Sequence, residues 1–492
     1  MIADAVLLIL EVAVMKKNTN KKDNFIYLRI AGIIEQQILS GTLRSGDKLP
    51  SLRTICREYG ISQNSALSAY YHLESKMLIE TRPQSGYYVK YSRLRMPAVA
   101  NASRPSGIAS FGINEQLVSR VYDSLGESCH LPLSLAAPAN EFLPIAKLNK
   151  GLLQATRELK GSGVAYEKAQ GNERLRRQIA QWAFNMEAQI SHDDLITTSG
   201  CLNALSYSMM AVTEQGDTVA MESPVSFGML QLAQALHLKV MELPTHPETG
   251  VDLNALEEAM KSGNIKACLL ISNFSNPLGS CMPDEHKRTA AQLAEKYNVP
   301  IIENDLNGDV YFGSHRPKSC KTYDESGMVL WCGSVSKTLA PGYRVGWTAP
   351  GKFKEKVLRM KLYHAISCTT ITQEVIAGFL ETGRYESHLR KLRHTLHGNL
   401  MKFSAAISDY FPAGTLTSHP KGGFVLWVEL PGDINTLELY ETAIARKISF
   451  APGRIFTMQT EYDNCLRLNY GLVWNQKLEN DLKILGLLAK SS

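Results

Sequence analysis

Apolar positions in residues 25–40 fall at Ile26, Ile30, Ile33, Ile34 and Ile38, the stripe of one helical face. Gly41 interrupts it, and residues 43–50 carry the glycine and proline of a turn. Ser51 stands as an N-cap before a second stripe, Leu52, Ile55, Cys56 and Tyr59, which Gly60 closes. Ser62 caps a third helix with Ala66, Tyr70, Leu73 and Met77 on one face and Gln63, Asn64, Ser68 and His72 on the other. Two short strand-like runs lie between Ile79 and Val89, folded about residues 82–86. Helix, turn, helix and hairpin in this order predict an α+β winged helix-turn-helix, whose second helix of the pair enters the major groove.

The pattern changes after residue 90. Residues 91 to about 110 hold Ser, Ala, Pro and Arg without a clear period, and predict a linker over 91–115. A small domain over 24–90 and a large one over 116–492 flank it. From 195 to 347, buried-looking apolar runs alternate with longer helical patterns, the signature of an α/β fold with a mainly parallel sheet. Residues 422–429 and 465–470 read as strands of a small C-terminal α+β subdomain, with a turn at 451–456.

Composition adds scale. A chain of 492 residues, 44% apolar and 20% charged, is globular and holds more than one domain. Residues 16–95 carry fourteen Lys or Arg against six Asp or Glu, whereas residues 96–492 are balanced. A basic surplus confined to the small domain points to a nucleic-acid-binding module rather than a merely solvated basic face, and with the helix-turn-helix order the expected partner is double-stranded DNA. Arg53, Arg57 and Arg82 suit phosphates, and Gln63, Asn64 and Ser68 suit base edges; Ser51, Ser62 and Gly86 complete the expected DNA-facing set. Nine cysteines lie scattered without a CxxC pair or a metal-ligand spacing, which predicts reduced thiols in the cytoplasm and no metal site. Cys129, Cys201 and Cys332 read as packing residues. Residues 1–23 form a tail whose first fifteen positions are mostly apolar, either a mis-assigned start with Met15 opening the chain or a short amphipathic extension. No run of eighteen apolar residues follows, so no membrane helix is predicted.

The densest chemistry lies at residues 332–347. Ser334 and Ser336 precede Lys337, Pro341 and Gly342 turn the chain, and Arg344 follows. A lysine at a strand end beside hydroxyls and a guanidinium suits a Schiff base next to a phosphate, the requirement of pyridoxal phosphate. Gly200, Cys201 and Leu202 follow an apolar run and open a helical pattern, a backbone cup for a phosphate.

Two resemblances follow from these motifs. Residues 25 to 89 resemble the GntR family of DNA-binding domains through residues 38–43, the Leu49-Pro50-Ser51-Leu52-Arg53 marker, residues 61–64, 69–74 and 85–87. Residues 332–347 resemble the cofactor-lysine segment of fold-type I aminotransferases. The pairing of the two is that of MocR-type regulators. It implies Lys337 as the Schiff-base lysine, with Ser334, Ser336 and Arg344 on the phosphate. It further implies Asn276 at the cofactor's phenolic oxygen, Phe227 as the stacking ring and Arg467 as the clamp for an effector carboxylate. Tyr166 would reach the cofactor phosphate of a partner subunit, which implies a homodimer. One position departs from the family's Glu-Asp-Asp pattern: Glu303 is followed by Asn304 and then Asp305, and the tyrosine expected at 306 or 307 is Leu306 or Asn307. Either Asp305 supplies the charge for the pyridine nitrogen by a shift of one residue, or Asn304 faces it and catalysis falls while binding survives.

The implied function is a transcriptional regulator that senses a small amine or amino acid through an external aldimine formed at Lys337's expense. The alternatives are a working aminotransferase with an accessory DNA-binding domain, and a regulator whose cofactor is purely structural.

Overall fold

The computed structural model describes residues 26–491 apart from 41, 45, 76–77, 83–84, 90–95, 113–114, 127–130 and 433. The tail with its Met15 start, Gly41, Met77, Cys129, the hairpin tip at 83–84 and the side chain of Arg82 therefore lie outside the described residues. The chain forms two compact units that part between Arg95 and Met96.

The small unit holds α1 (Ile26–Leu39), α2 (Leu52–Tyr59), α3 (Gln63–Ser75), β1 (Ile79–Arg82) and β2 (Gly86–Val89). Most of the expected stripes form its core: Ile30, Ile34, Ile38, Ile55, Ala66, Tyr70 and Leu73 are buried, Ile33, Leu52, Cys56 and Tyr59 are partly buried, and Ile26 is exposed. Ser51 Oγ accepts from the Thr54 amide at 3.2 Å, and Ser62 Oγ accepts from the Ser65 amide at 3.1 Å, so both predicted caps form. Gly60 ends α2 in the left-handed region at φ +64°, where only glycine sits without strain. β1 and β2 pair antiparallel, Ile79 opposite Val89 and Arg82 opposite Gly86. Tyr70 is buried but its hydroxyl donates to the Pro50 carbonyl at 2.6 Å, which ties α3 to the loop before α2.

The large unit is built on a sheet of eight strands. In chain order these are β3 (Ala109–Ser110), β4 (Ile196–Thr198), β5 (Thr218–Glu222), β6 (Lys239–Leu243), β7 (Ala267–Leu270), β8 (Ile301–Asn304), β9 (Val329–Ser334) and β10 (Gly346–Ala349). Their order in space is β3-β6-β5-β7-β8-β9-β10-β4. The run from β6 to β9 is parallel; β10 is antiparallel to both β9 and β4, and β3 is antiparallel to β6. Two strands are therefore reversed in an otherwise parallel sheet. Both faces are covered, which is why β7, β8 and β9 are buried along their whole length. Helices α4 (Cys201–Val212), α5 (Phe227–Ala235) and α6 (Asp284–Tyr297) connect the parallel strands. Beyond the sheet, α7 (Arg384–Tyr410) leads to a four-stranded antiparallel sheet, ordered β11 (Leu416–Thr417), β12 (Val425–Glu429), β14 (Cys465–Asn469), β13 (Ala451–Pro452), and to the final helix α8 (Gln476–Ser491).

Residues 96–110, expected within a linker, are fastened to the large unit instead. The Ala100 amide donates to the Thr417 carbonyl at 3.0 Å, the Asn101 amide to Glu429 Oε2 at 3.0 Å, and β3 adds an edge strand. The segment shows no period because it is held by its backbone and by scattered polar contacts, which leave no hydrophobic rhythm.

Candidate cofactor pocket and nucleic-acid interface

Parallel strands deliver their carboxyl ends to one edge of a sheet, and open α/β sheets bind ligands there. Ser199 and Gly200 follow β4, and α4 begins at Cys201. Gly200 takes φ +93°, and a Cβ on it would lie 2.2 Å from Arg344 Nη2. Glycine is thus required twice, by the backbone and by the guanidinium lying against it. Arg344 donates to the Ser199 carbonyl at 3.1 Å and to Ser336 Oγ at 3.2 Å, while the Ser336 amide donates to Ser334 Oγ at 3.2 Å. β10 brings this about, since its reversal returns the chain from Lys337 to the start of α4. A cup results in which Gly200, Cys201 and the half-exposed Leu202 open a helix N-terminus, with Arg344, Ser334 and Ser336 beside it. Helix N-termini and guanidinium groups both favour a phosphate.

Lys337 sits in the turn after β9 and lines one cavity with Phe227, Asn276, Asn304 and Arg467. Burial, then the charges of Arg467 and Arg344, pushes its amine down to about 8. Arg467 is not on an edge: β14 lies between β12 and β13, and its side chain is 1% exposed. It donates to Asn276 Oδ1 at 2.9 Å and to the Ser134 carbonyl. Both of these acceptors are neutral, and they orient the guanidinium. Asn276 Nδ2 in turn donates to Ser226 Oγ at 3.4 Å.

Asn304 and Asp305 part company. Asn304 closes β8 opposite Cys332 and its amide lines the cavity. Asp305, the alternative source of charge for the ring nitrogen, is turned away. Its Oδ2 accepts from Arg316 Nη2 at 2.6 Å and Trp331 Nε1 at 2.9 Å, and its Oδ1 from Asn273 Nδ2 at 3.0 Å. Successive residues of an extended segment point to opposite faces, so Asn304 lines the cavity and Asp305 does not. Glu303 is likewise outside the cavity, held by the Cys320 and Lys321 amides at 2.7 and 3.0 Å. Leu306 and Asn307 line the cavity in place of the expected tyrosine.

Tyr166 is 84% exposed and does not line the cavity of its own chain. The thiols of Cys201 and Cys332 are buried, and burial raises both, in keeping with packing roles. Sequence reasoning missed Ser134, Met229 and Phe424, which also line the cavity. Ser134 and Met229 carry no local signal. Phe424 follows the pair Gly422 and Gly423, and a Cβ on Gly422 would lie 2.3 Å from the Val310 carbonyl, so the paired glycines were a legible mark of close approach.

On the small unit, Gln63, Asn64 and Ser68 stand exposed along α3, and Arg53 and Arg57 are exposed on α2. Gly86 adopts φ +108° where the hairpin re-enters β2. Among the described residues, no helix is long and apolar enough to cross a membrane, and no cluster of His, Cys, Asp or Glu could hold a metal ion.

The family of aminotransferases class I and II matches residues 134–482, and the gntR family of bacterial regulatory proteins matches residues 26–89. The HTH-type transcriptional regulators YjiR and YdcR of Escherichia coli K12 are each 36% identical to the chain, over 94% of it and 98% of their own length. Among solved structures, LysN, the α-aminoadipate aminotransferase of Thermus thermophilus complexed with N-(5'-phosphopyridoxyl)-L-leucine, superposes with a TM-score of 0.69 and 25% identity, covering 77% of this chain and 97% of that one. The chain therefore belongs to the aminotransferase class I and II family through its large unit and, with a gntR-family domain before it, is a DNA-binding transcriptional regulator of the MocR type.

Proposed function

We propose that this regulator senses an amine or amino acid through pyridoxal phosphate held in the large unit. The residues fit that group. The cup at Gly200, Cys201 and Leu202 with Ser334, Ser336 and Arg344 suits its phosphate, and a Cβ on Gly200 would close the cup. Phe227 and Asn276 suit the ring face and the phenolic oxygen, and Lys337 suits the aldehyde. When bound, the cofactor supplies an electrophilic carbon that amines attack reversibly, and a ring that withdraws electrons. Lys337 contributes a nucleophile that is partly uncharged near neutral pH. Arg467 holds the carboxylate of an amino-acid effector in a planar, two-point grip.

The carrying observation is the meeting of a lysine pushed down to about 8 and a buried arginine oriented by Asn276 and Ser134 in one cavity. LysN, with its phosphopyridoxyl-leucine, supports the same occupancy. Effector binding alters DNA binding only in so far as the effector prefers one of two states of the protein. A homodimer, with Tyr166 of one copy at the phosphate of the other, and a cytoplasmic location belong to this proposal. The test is the absorbance spectrum of the protein with added pyridoxal phosphate beside that of Lys337→Ala, followed by DNA retention with and without amines. A near-visible band lost in the variant, and retention that shifts with one class of amine, are expected. A band with no response to any amine would leave a regulator with a structural cofactor.

A further inference from the structure

We propose that Asn304, oriented by Cys201, presents an N–H to the cofactor's ring nitrogen and so keeps that nitrogen unprotonated, which makes the pocket capture amines without turning them over. The inference rests on the pocket holding pyridoxal phosphate and names what this chain's residues do to it.

The orientation of the amide carries the argument. Cys201 Sγ lies 3.5 Å from Asn304 Oδ1, and Met229 Sδ lies 4.0 Å from Asn304 Nδ2. A thioether has no hydrogen to donate, and a protonated thiol has one, so only this orientation satisfies both contacts. Burial raises the Cys201 thiol well above its ordinary range and keeps it the donor. Met229 and Asn304 both line the cavity, and the Asn304 amide nitrogen is on the Met229 side. The amide nitrogen is therefore on the ligand side, and the oxygen is turned behind it.

The surroundings agree. Among the described residues that line the cavity, none is Asp or Glu, while Lys337 and Arg467 are both present. The two nearby carboxylates, Glu303 and Asp305, are committed elsewhere by the hydrogen bonds given above. A site with cations and no facing carboxylate disfavours a further positive charge on a ring nitrogen. An amide hydrogen stabilises the neutral nitrogen, which accepts it. A neutral pyridine takes up carbanion charge poorly, so the α-proton of a captured amine stays in place and the occupied state persists.

The test uses cofactor labelled with 15N in its ring, bound to the full chain and examined by solid-state NMR. The expected resonance is that of neutral pyridine in the wild type and of pyridinium in Asn304→Asp. In single turnover with an amino acid, Asn304→Asp is expected to release the α-proton about 100-fold faster, the scale of one well-placed electrostatic contact. Cys201→Ala is expected to move the wild-type resonance toward pyridinium, and Cys201→Ser to restore it. A pyridinium resonance in the wild type overturns the inference while leaving the sensing proposal intact. Absence of any cofactor signal that depends on Lys337 overturns the sensing proposal itself, and this inference with it.

Discussion

The two units handle polar groups in opposite ways. Among the described residues of the small unit, no charged side chain is buried; its arginines and its α3 readers stand in solvent around an apolar core. The large unit buries Glu222, Glu242, Glu303, Lys287 and Arg467 to 1% exposure or less, each next to hydrogen-bond partners. A surface that meets DNA phosphates gains from exposed cations, which displace the counterions condensed on the DNA. A pocket that must aim single groups at a small molecule needs them fixed, and burial with hydrogen bonds fixes them. The small unit should therefore lose binding without losing stability when a functional residue is changed. The large unit should lose both together.

Three measurements break or sharpen that contrast. The largest effect is expected at Arg316, which bridges Asp305 at 2.6 Å and Asp309 at 2.7 Å. Arg316→Ala removes the cation shared by two buried carboxylates and leaves them only neutral donors, so a loss of about 3–5 kcal/mol is expected. Denaturant unfolding reads it, and a loss below about 1 kcal/mol would place this network with ordinary surface pairs.

The next effect is a pH profile at Lys337. Its folded value of about 8 lies below the ordinary lysine value, so the cation is the disfavoured form and the free amine grows as pH rises through 8. Trapping of Lys337 by an aldehyde and borohydride is expected to reach half its maximal rate near pH 8. By linkage, the protonation penalty on folding is full below pH 8 and fades toward the unfolded value near 10.4, so this group's effect on stability improves with pH over that window. A midpoint near 10 would remove the electrostatic basis for Lys337 as a nucleophile at neutral pH.

The smallest effect belongs to the small unit. Asn64→Ala is expected to weaken operator binding by about 1–3 kcal/mol if its amide reads a base. Its thermal midpoint should stay at the wild-type value. A fall in stability instead, with sequence preference kept, would make Asn64 a structural residue of α3.

Legibility from sequence follows the same division. In the small unit the helical stripes, the Ser51 and Ser62 caps and the Gly60 stop are set by neighbours within a few residues, and all were readable. At the pocket, Lys337 and Gly200 were readable because a strand end, a glycine and a turn mark them locally. Arg467 matched by position, but its burial in the middle of a sheet did not show in its own strand. Ser134 was invisible, since its contribution is a carbonyl offered to a guanidinium 333 residues away. The choice between Asn304 and Asp305 also had to wait, because it depends on which face of β8 looks into the cavity.

The sequence by itself determined the winged helix-turn-helix, the α/β pattern with its lysine turn, and the family to which both belong. Each of these is written in short-range periodicity, capping and motif spacing. Tertiary structure alone decided that residues 96–110 join the large unit, that Asn304 lines the cavity while Asp305 serves Arg316, and that the Asn304 amide lies between Cys201 and Met229. Those outcomes depend on strand ends drawn together from residues 196 to 467 by two sheets whose registers no local segment encodes.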